Sequence, residues 1–316
     1  MQIDKKGQIS LPGLKIIYED DDLIVIDKEA GLLSVGTTKT KSWTAHTILN
    51  NYVNQDTRLD KASRARHYIS KNYDSRADDQ YEISPIYEEG NTPNKKVSYD
   101  SSRRRNASSR REQSQSPRVF IVHRLDRDTS GLMLFAKNDK VKTAFQERWK
   151  DYVYDRRYMA LIAGTGADHN LDASKLEEGY EGEINAPLGE NSACKVFVPE
   201  GKKGGDLIYT RNGKIPIRDA VTRYRIEKVY PAPEGQEVGG YALASFSLDT
   251  GRKNQIRAHM EYVGYPIIGD KKYGSVAPNP YHRLCLHAYR LCFIHPLTKE
   301  KLEFESKVDF KNKKKR

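Results

Sequence analysis

A long polar segment divides this chain of 316 residues into two parts that are able to fold. Between Lys61 and Arg118 the sequence has no Leu, Phe, Trp or Met, whereas it has 13 Lys or Arg and 8 Asp or Glu. Such a composition cannot bury enough apolar surface to offset the entropy that is lost on ordering. The expected order along the chain is an N-terminal extension (1–13), a first part of one domain (14–60), a polar, basic and disordered insert (61–118), the remainder of the domain (119–306) and a basic C-terminal tail (307–316).

The charge balance points to a polyanionic partner. The chain has 54 Lys and Arg against 43 Asp and Glu, a formal net charge of +11, and such a surplus is typical of nucleic-acid-binding proteins. The Arg-rich stretch at 103–111 could contact phosphates or could be a solvated linker. The sequence has no apolar run of about 18 residues and no signal-peptide core, and its three cysteines lack the spacing of a disulfide framework. We therefore expect a cytoplasmic protein with no membrane contact.

The hydrophobic pattern on both sides of the insert predicts many strands and few helices. The segment at 14–28 predicts two strands around an acidic turn, and the spacing at 44–53 predicts a helix. After the insert, alternating or apolar runs predict strands at 120–125, 131–137, 156–164, 220–230 and 241–250, and helical spacing predicts helices at 139–150 and 255–263. Because these elements follow one another without a repeating order, the pattern favours an α+β fold over a wound α/β sheet.

One acidic residue stands out in the segment I-V-H-R-L-D-R-D-T-S-G-L-M-L-F-A-K at 121–137. Asp126 lies on a short polar turn between two apolar runs, with Arg124 and Arg127 on either side. A carboxylate between two arginines is favoured in its ionised, nucleophilic form. The same residues are also compatible with an ordinary charged turn at the end of a strand.

Several segments occur in an order that resembles the RluA-type pseudouridine synthases. The stretch H-R-L-D-R-D-T-S-G-L at 123–132 resembles the catalytic motif of that family. Further matches are Y-E-D-D-D-L-I-V-I-D-K-E-A-G-L-L-S-V at 18–35, T-G-R-K-N-Q-I-R-A-H-M at 250–260, P-I-I-G-D-K-K-Y-G at 266–274 and R-L-C-L-H-A-Y-R-L at 283–291. The chain departs from the family pattern at Glu29-Ala30, where Pro is usual before the Gly, and at Lys253-Asn254, where Thr-His is common.

The resemblance implies both a fold and a set of catalytic residues. The implied fold is a single catalytic domain without an S4-like domain: a mixed, mostly antiparallel sheet with flanking helices and a central RNA-binding cleft. By resemblance Asp126 is the nucleophile, Arg257 pairs with it, and Tyr158 stacks on the base and can serve in proton transfer from C5. Whether Asp126 adds to the sugar C1′ or to the base C6 stays open. The isomerisation needs no redox or energy input, so we expect no cofactor.

Four further residues are expected to bind the substrate. By resemblance Leu286 forms the apolar wall of the pocket, and Arg124 fills the space left by the flipped base, since an enzyme that acts on a stacked base must extrude it. Arg252 and Lys253, on the loop that precedes Arg257, are expected to contact phosphates. We expect a monomer that acts on a structured RNA, such as an rRNA or tRNA stem-loop, recognised mainly by shape.

Three other readings are compatible with parts of the sequence. The first is a catalytically idle RNA-binding or ribosome-assembly factor on the same scaffold, which the presence of Asp126, Tyr158 and Arg257 argues against. The second is a zinc site at Cys285, His287, Cys292 and His295, although this spacing matches no standard structural site and core packing is the preferred interpretation. The third is a metal-dependent nuclease, for which the sequence lacks a convincing carboxylate cluster, since Asp20-Asp21-Asp22 is adequately explained as a turn.

Overall fold

The computed structural model describes residues 2–3, 9–36, 43–54, 117–163, 177–211, 213–230, 241–274, 279 and 281–310. All but the last two residues of the predicted insert, together with its Arg-rich stretch and the tail from 311 onward, lie outside these ranges. In the described part of the chain, no helix is long and apolar enough to cross a membrane.

A twelve-stranded sheet forms the centre of the described structure. The strands among the described residues are β1 Gln2–Ile3, β2 Ile9–Leu11, β3 Leu14–Glu19, β4 Leu23–Lys28, β5 Phe120–Ile121, β6 Ser130–Ala136, β7 Val153–Ala163, β8 Glu181–Asn185, β9 Gly189–Glu190, β10 Val196–Phe197, β11 Leu207–Thr210, β12 Gly213–Pro216, β13 Val221–Tyr230, β14 Tyr241–Leu248, β15 Leu286–Ile294 and β16 Lys301–Glu305. The main path of the sheet is β1-β2-β3-β4-β6-β15-β7-β14-β13-β8, with β16 beside β15 and β5 beside β6, while β9–β10 and β11–β12 are separate antiparallel ribbons.

Within the described ranges the helices are few and lie between strands. They are α1 Ala45–Val53, α2 Asp139–Glu147, α3 Trp149–Tyr152 and α4 Gln255–Tyr262. Among the described strand pairs only β6 and β15 run parallel, so the sheet is mixed and mostly antiparallel. This confirms the α+β class and the sheet type that the resemblance implied.

The central strands are buried on both faces. Along β4, Leu23 and Val25 pack into one apolar cluster, whereas Ile24 and Ile26 pack into another on the opposite face. In β6 every residue is buried. Strands that are covered on both sides are expected to have continuous apolar sequences instead of alternating ones, which explains the uninterrupted runs L-I-V-I and L-M-L-F-A.

Two predicted elements are shorter than expected. The strand predicted at 120–125 is limited to Phe120–Ile121, because the chain then turns away from the sheet and His123 accepts a hydrogen bond from the N–H of Leu134 in place of a strand partner (2.9 Å). The helix predicted at 139–150 ends at Glu147, since Arg148 has non-helical dihedrals (φ −134°, ψ 43°). The separate turn α3 still brings the Trp149 ring against Phe145 (6.0 Å between centroids).

The ordered unit extends past both of the expected ends of the domain. Strands β1 and β2 come from the predicted N-terminal extension and pair with each other, and β2 then pairs with β3. At the other end, Phe310 is buried in the main apolar cluster although it belongs to the predicted tail. Pairing of two- and three-residue strands leaves almost no periodicity in a sequence, so these additions could not be read from the pattern.

The two ends of the chain that flank residues 55–116 lie side by side. The side-chain amide of Asn54 donates a hydrogen bond to the carbonyl of Pro117 (2.6 Å), and the N–H of Val119 donates to Asn50 Oδ1 (2.9 Å). A short connection is therefore long enough to join α1 to β5.

We predict that replacing residues 55–116 with a short Gly/Ser linker leaves the fold intact, because the ends that the linker joins are already in contact. A shorter loop also costs less closure entropy, although the effect is only about 0.6 kcal/mol for each halving of its length. Urea unfolding of the wild type and of the linker variant measures this directly. A variant that fails to fold, or that folds with a loss of several kcal/mol, would show that the replaced residues contribute to the core.

Candidate active site

A cleft brings together six of the seven site residues that were predicted from the sequence. Its lining includes Arg124, Asp126, Tyr158, Arg252, Arg257 and Leu286. The seventh, Lys253, is not part of the lining, because its ammonium group pairs with Glu190 outside the cleft (2.6 Å). The residues that meet here come from the turn before β6, from β7, from the loop and helix after β14, and from the start of β15.

Arg257 is held by a carboxylate that the sequence analysis did not identify. Its Nε and Nη2 donate to the two oxygens of Asp270 (2.7 and 2.9 Å), so that the planar fork of the guanidinium is used on that residue. The remaining nitrogen, Nη1, faces Asp126 with 3.7 Å to Oδ2. The Asp270 side chain is completely buried and the Arg257 side chain is 9% exposed, whereas 24% of the Asp126 side chain reaches solvent. The predicted pairing of Arg257 with Asp126 is thus an ion pair at 3.7 Å without a hydrogen bond. The bidentate hydrogen bonds of Arg257 are made to Asp270.

Further contacts fix the orientation of this ion pair. Asp270 Oδ1 also accepts from the backbone N–H groups of Lys272 and Tyr273, at 3.0 Å each. Arg257 Nη1 donates to the side-chain oxygen of Asn254 (3.1 Å), a residue with φ +48° that precedes α4. Asn tolerates this left-handed conformation better than most residues.

Burial disfavours the charged guanidinium of Arg257. The hydrogen bonds of this group and the charges of Asp270 and Asp126 outweigh the effect of burial, and together they raise the pKa of Arg257.

The turn that carries Asp126 is fastened to the segment that follows β4. Lys28 is fully buried, and its ammonium group donates to the backbone carbonyl of Arg127 (3.0 Å) as well as to that of Leu32 (2.8 Å). The N–H of Gly31 donates to the same carbonyl of Arg127 (2.9 Å). Ser34 Oγ donates to the carbonyl of Leu125 (2.6 Å) and accepts from its N–H (3.2 Å). The residues on either side of Asp126 are therefore both clamped.

The close pairing of β6 with β15 places Leu286 beside this turn. Gly131 has φ +117°, and a Cβ on it would lie 2.2 Å from the carbonyl oxygen of Ala288. The neighbouring residues Ser130 and His287 share a hydrogen bond between Oγ and Nδ1 (2.7 Å). Only glycine permits this approach of the two backbones, and it is this approach that lets Leu286 line the cleft.

Tyr158 presents a buried ring to the cleft and is 6% exposed. Arg156, which also lines the cleft, lies on the same strand with its guanidinium carbon 5.7 Å from the centroids of both Tyr158 and Trp149. Burial raises the pKa of the Tyr158 hydroxyl; the charge of Arg156 works against this rise and that of Asp126 adds to it. The phenol therefore keeps its proton at neutral pH.

The two remaining arginines of the prediction lie at the rim. Arg124 is exposed and lines the cleft next to Asp126. Arg252 is exposed as well, and its Nε donates to the backbone carbonyl of Asp219 (3.2 Å). Partial burial lowers the pKa of Arg252, and the nearby charge of Arg218 contributes in the same direction. Gln255 holds this loop through hydrogen bonds from the Thr250 hydroxyl (2.7 Å) and from the Arg252 N–H (3.0 Å).

The residues of the zinc reading do not converge in the described structure. The one group of potential metal ligands found there is Asp20, Asp22 and His295. Asp20 Oδ1 accepts from the N–H groups of Asp22 and Leu23, at 2.7 and 2.8 Å, as expected for an Asx turn. His295 Nδ1 accepts two backbone N–H groups, so that Nε2 carries the ring proton and points it towards the carboxylates. A nitrogen in this state has no lone pair for a metal.

Several residues that build the site were not identified from the sequence, although their segments had been noted. Asp270 lies in the matched stretch P-I-I-G-D-K-K-Y-G, but nothing in that stretch shows that its side chain is buried against Arg257. Arg156 precedes Tyr158 by two residues, but nothing in the sequence shows that its side chain lines the cleft. Lys28 ends a predicted strand, where a lysine is usually solvated. Asn254 was noted only as a departure from the family pattern.

A comparison with known proteins decides the family. The sequence profile described as "RNA pseudouridylate synthase" matches residues 22–262 of the chain, which include Asp126, Tyr158 and Arg257. The chain belongs to the RNA pseudouridylate synthase family. The "Uncharacterized RNA pseudouridine synthase YlyB" of Bacillus subtilis is 33% identical to this chain, over 60% of this chain and 52% of the relative. The "tRNA pseudouridine synthase C" of Haemophilus ducreyi is 30% identical, over 60% of this chain and 73% of the relative. The "Ribosomal large subunit pseudouridine synthase D" of Nitrosomonas europaea is 28% identical, over 96% of this chain and 64% of the relative.

The chain spans about half the length of YlyB and a larger share of the other two relatives. Among solved structures, "Human RNA Pseudouridylate Synthase Domain Containing 4" is similar to this chain with a TM-score of 0.53, at 19% identity and with coverage of 93% of this chain and 88% of that one. At this identity the likeness concerns the fold. It agrees with the mixed sheet that the family resemblance implied.

We predict that two buried histidines make the protein less stable in acid. Burial lowers the pKa of His123 to about 3, with Arg156 contributing, and burial lowers that of His287 to about 4, with Arg283 and Lys28 contributing. In the unfolded chain both should titrate near about 6.5. Between pH 6.5 and 4 the unfolded state therefore binds more protons, and the free energy of unfolding falls by up to about 1.4 kcal/mol per pH unit for each histidine.

Urea unfolding at pH 7, 6, 5 and 4 measures the slope. His123→Gln should give a shallower slope than the wild type, whereas His282→Asn, a change at an exposed histidine, should not. Equal slopes for all three proteins would contradict the prediction.

Proposed function

We propose that the chain is an RNA pseudouridine synthase that isomerises specific uridines in structured RNA. The observation that carries the proposal is the reachable carboxylate of Asp126, which faces a guanidinium that is itself fixed by a buried carboxylate. A protein that only binds RNA has no need for such an arrangement. Membership of the family supports the same reaction.

In the proposed reaction the base is detached and reattached on one nucleotide. The bond between N1 and C1′ breaks, the uracil turns within the cleft, and a bond forms between C5 and C1′. The proton that C5 loses is balanced by the proton that N1 gains, so that no oxidant or reductant is consumed. Asp126 acts as the nucleophile, at C1′ or at C6, and Arg257 counters its charge across 3.7 Å. The fixed partner removes the need to reorganise solvent around the carboxylate.

Tyr158 is proposed to hold the uracil by ring contact. Its phenol remains protonated at neutral pH because burial raises its pKa, so that it is a poor base for the C5 proton unless the substrate changes its surroundings. The ring, which forms one wall of the cleft, can stack on the detached uracil. Leu286 forms a second, apolar wall. These two surfaces would retain the loosened base while it turns.

The arginines of the rim are proposed to bind the RNA around the flipped nucleotide. Arg124, Arg156 and Arg252 all line the cleft, and none of the three has an ion pair with a carboxylate among the described residues. Arg124 could fill the gap that the extruded base leaves in the stack. Arg156 and Arg252 could neutralise neighbouring phosphates. Lys253 is a weaker candidate for this role, because Glu190 already neutralises it.

The proposed substrate is an irregular stem-loop of rRNA or tRNA. Two relatives have names that mention tRNA and the large ribosomal subunit. The major groove of A-form RNA is deep and narrow, so that recognition by shape at a loop or a weak stem is favoured, and extrusion of a base is cheaper there. The monomeric state and the cytoplasmic location stay predictions from the sequence.

We predict that Asp126→Asn abolishes isomerisation and that RNA binding survives, because one carboxylate performs the covalent step whereas affinity is spread over many cations. Carbodiimide-based pseudouridine mapping of rRNA and tRNA, from cells with the gene, without it and with Asp126→Asn, identifies the uridine. The mapped site is then made as an isolated hairpin and its conversion is followed. Turnover by the purified variant would remove Asp126 from this role.

We predict that Arg257→Lys and Asp270→Asn each reduce kcat by on the order of a hundredfold, with little change in RNA affinity, because each releases the group that faces Asp126. Asp270→Asn also breaks a buried ion pair and is expected to cost about 3–5 kcal/mol of stability. Arg290→Lys is the control, since Arg290 pairs with Asp155 and Glu303 away from the cleft. Wild-type kcat in the folded Arg257→Lys variant would contradict the proposed geometry.

A further inference from the structure

The ribbon formed by β11 and β12 carries an aromatic ring that is largely exposed. Tyr209 is 72% exposed. It is paired across the ribbon with Lys214, whose ammonium group lies 5.3 Å from the centre of the ring. Leu207 on the same face is 40% exposed and lies opposite Pro216, which is also exposed. One face of the ribbon is therefore an open surface of a ring, a cation and two apolar side chains.

The opposite face of the ribbon is anchored to the protein. Ile215 Cγ2 lies 3.3 Å from the position that a Cβ on Gly189 would occupy, so that β12 packs against β9. Below the ribbon, Ile217 is buried, and its backbone accepts from Gly205 and donates to Asp206, at 2.9 Å each. These contacts hold the ribbon as a fixed element and leave its Tyr209 face outward.

The cations around this face form no ion pairs in the part of the chain that the structure describes. Lys202, Lys203, Arg211, Lys214 and Arg218 are all exposed, and none has an ion pair with a carboxylate among the described residues, although Asp206 lies within the same stretch. The nearby strand β13 is different: Arg223 pairs with Glu183 and Asp249, and Arg225 pairs with Glu181. The ribbon therefore keeps unpaired cations, whereas the exposed arginines of β13 are paired.

The base of the ribbon joins the rim of the cleft. Arg252 donates to the carbonyl of Asp219, the residue that follows Arg218. Lys253, next to Arg252, pairs with Glu190 of β9, against which the ribbon packs. Arg218 is four positions after Lys214, which corresponds to roughly 13 Å of extended strand. The open face thus lies beyond the cleft but continues its basic rim.

We propose that the ribbon β11–β12 is a second RNA-binding site, at which Tyr209 stacks on an unpaired base of the substrate outside the flipped uridine. This inference rests on the proposed function, since it takes the substrate to be RNA. An exposed aromatic ring beside cations is the combination that binds single-stranded nucleic acid: the ring accepts the face of any base, and the cations neutralise the phosphates on either side. An acidic protein would also be attracted by the charge, but it would gain less from a flat ring that is free on one side.

The first experiment measures equilibrium binding of a fluorescently labelled oligouridylate of twelve nucleotides, and of the mapped stem-loop with its single-stranded flanks. We expect Tyr209→Ala to weaken binding of both by about tenfold, whereas Tyr209→Phe keeps the affinity because it keeps the ring. Tyr262→Ala is the matched control, since Tyr262 is 59% exposed on α4 and outside the ribbon. If Tyr209→Ala binds as tightly as Tyr262→Ala, the proposal is overturned.

The second experiment measures the salt dependence of the same binding. Replacing Lys202, Lys203 and Arg211 with Gln should reduce the slope of log affinity against log salt by about 2, because each phosphate contact with a single strand contributes about 0.7. An unchanged slope would show that these cations do not contact RNA and would overturn the proposal.

Turnover separates this proposal from the proposed function. On the mapped stem-loop, Tyr209→Ala should raise KM and leave kcat unchanged, since the ribbon does not touch the reacting base. A wild type that binds RNA but converts no uridine overturns the proposed function, while the binding result for Tyr209→Ala can still be read. If the wild type binds neither the oligouridylate nor the stem-loop, both the ribbon site and the proposed function are overturned.

Discussion

The buried pair of Arg257 and Asp270 is the contact on which the cleft depends. Removing two charges from water is costly, and the loss is recovered only when the geometry is good and the remaining hydrogen bonds are satisfied. Here the fork of the guanidinium is occupied by both oxygens of Asp270, and Asp270 receives two further backbone N–H groups. Arg257 has no freedom to follow Asp126. The direction of its third nitrogen is fixed before any RNA arrives, which is the kind of preorganisation that electrostatic catalysis requires.

A second set of contacts fixes the turn that carries Asp126. Lys28, Gly31 and Ser34 hold the backbone on both sides of Asp126, so that a residue nearly a hundred positions away in sequence determines where the carboxylate points. The match at 18–35 can be understood in this way: it contains no predicted catalytic residue, but it builds the support for one. Residues 55–116 then interrupt the chain between the support and the turn without separating them, because Asn54 and Pro117, which flank these residues, are joined by a hydrogen bond.

The sequence was a good guide where the physical signal is local. Alternation and apolar runs predicted β3, β4, β6, β7, β13 and β14, and helical spacing predicted α1 and α4. The ordered motifs directed attention to Asp126 and Arg257, and the family resemblance directed it to Tyr158; all three line one cleft. Asp270 could not be found in the same way, because the sequence around an aspartate does not show whether its carboxylate pairs with a buried arginine or lies in a solvated turn. Lys253 was predicted to bind phosphate for a similar reason: the sequence shows its charge but not its partner Glu190, which is 63 residues away.

The distribution of ion pairs divides the basic surface into two kinds. Where arginines lie opposite acids on neighbouring strands, as on β13 and β15, the carboxylates neutralise the arginine charges. These arginines therefore contribute little to a long-range field. Arg124, Arg156 and Arg252 of the cleft and the exposed cations of the β11–β12 ribbon have no such partners among the described residues, so that their field extends towards solvent and is available to a polyanion. The net charge of +11 is therefore less informative than its placement. A phosphate backbone that follows the unpaired cations would pass from the ribbon, over Arg218 and Arg252, to the nucleotide that faces Asp126.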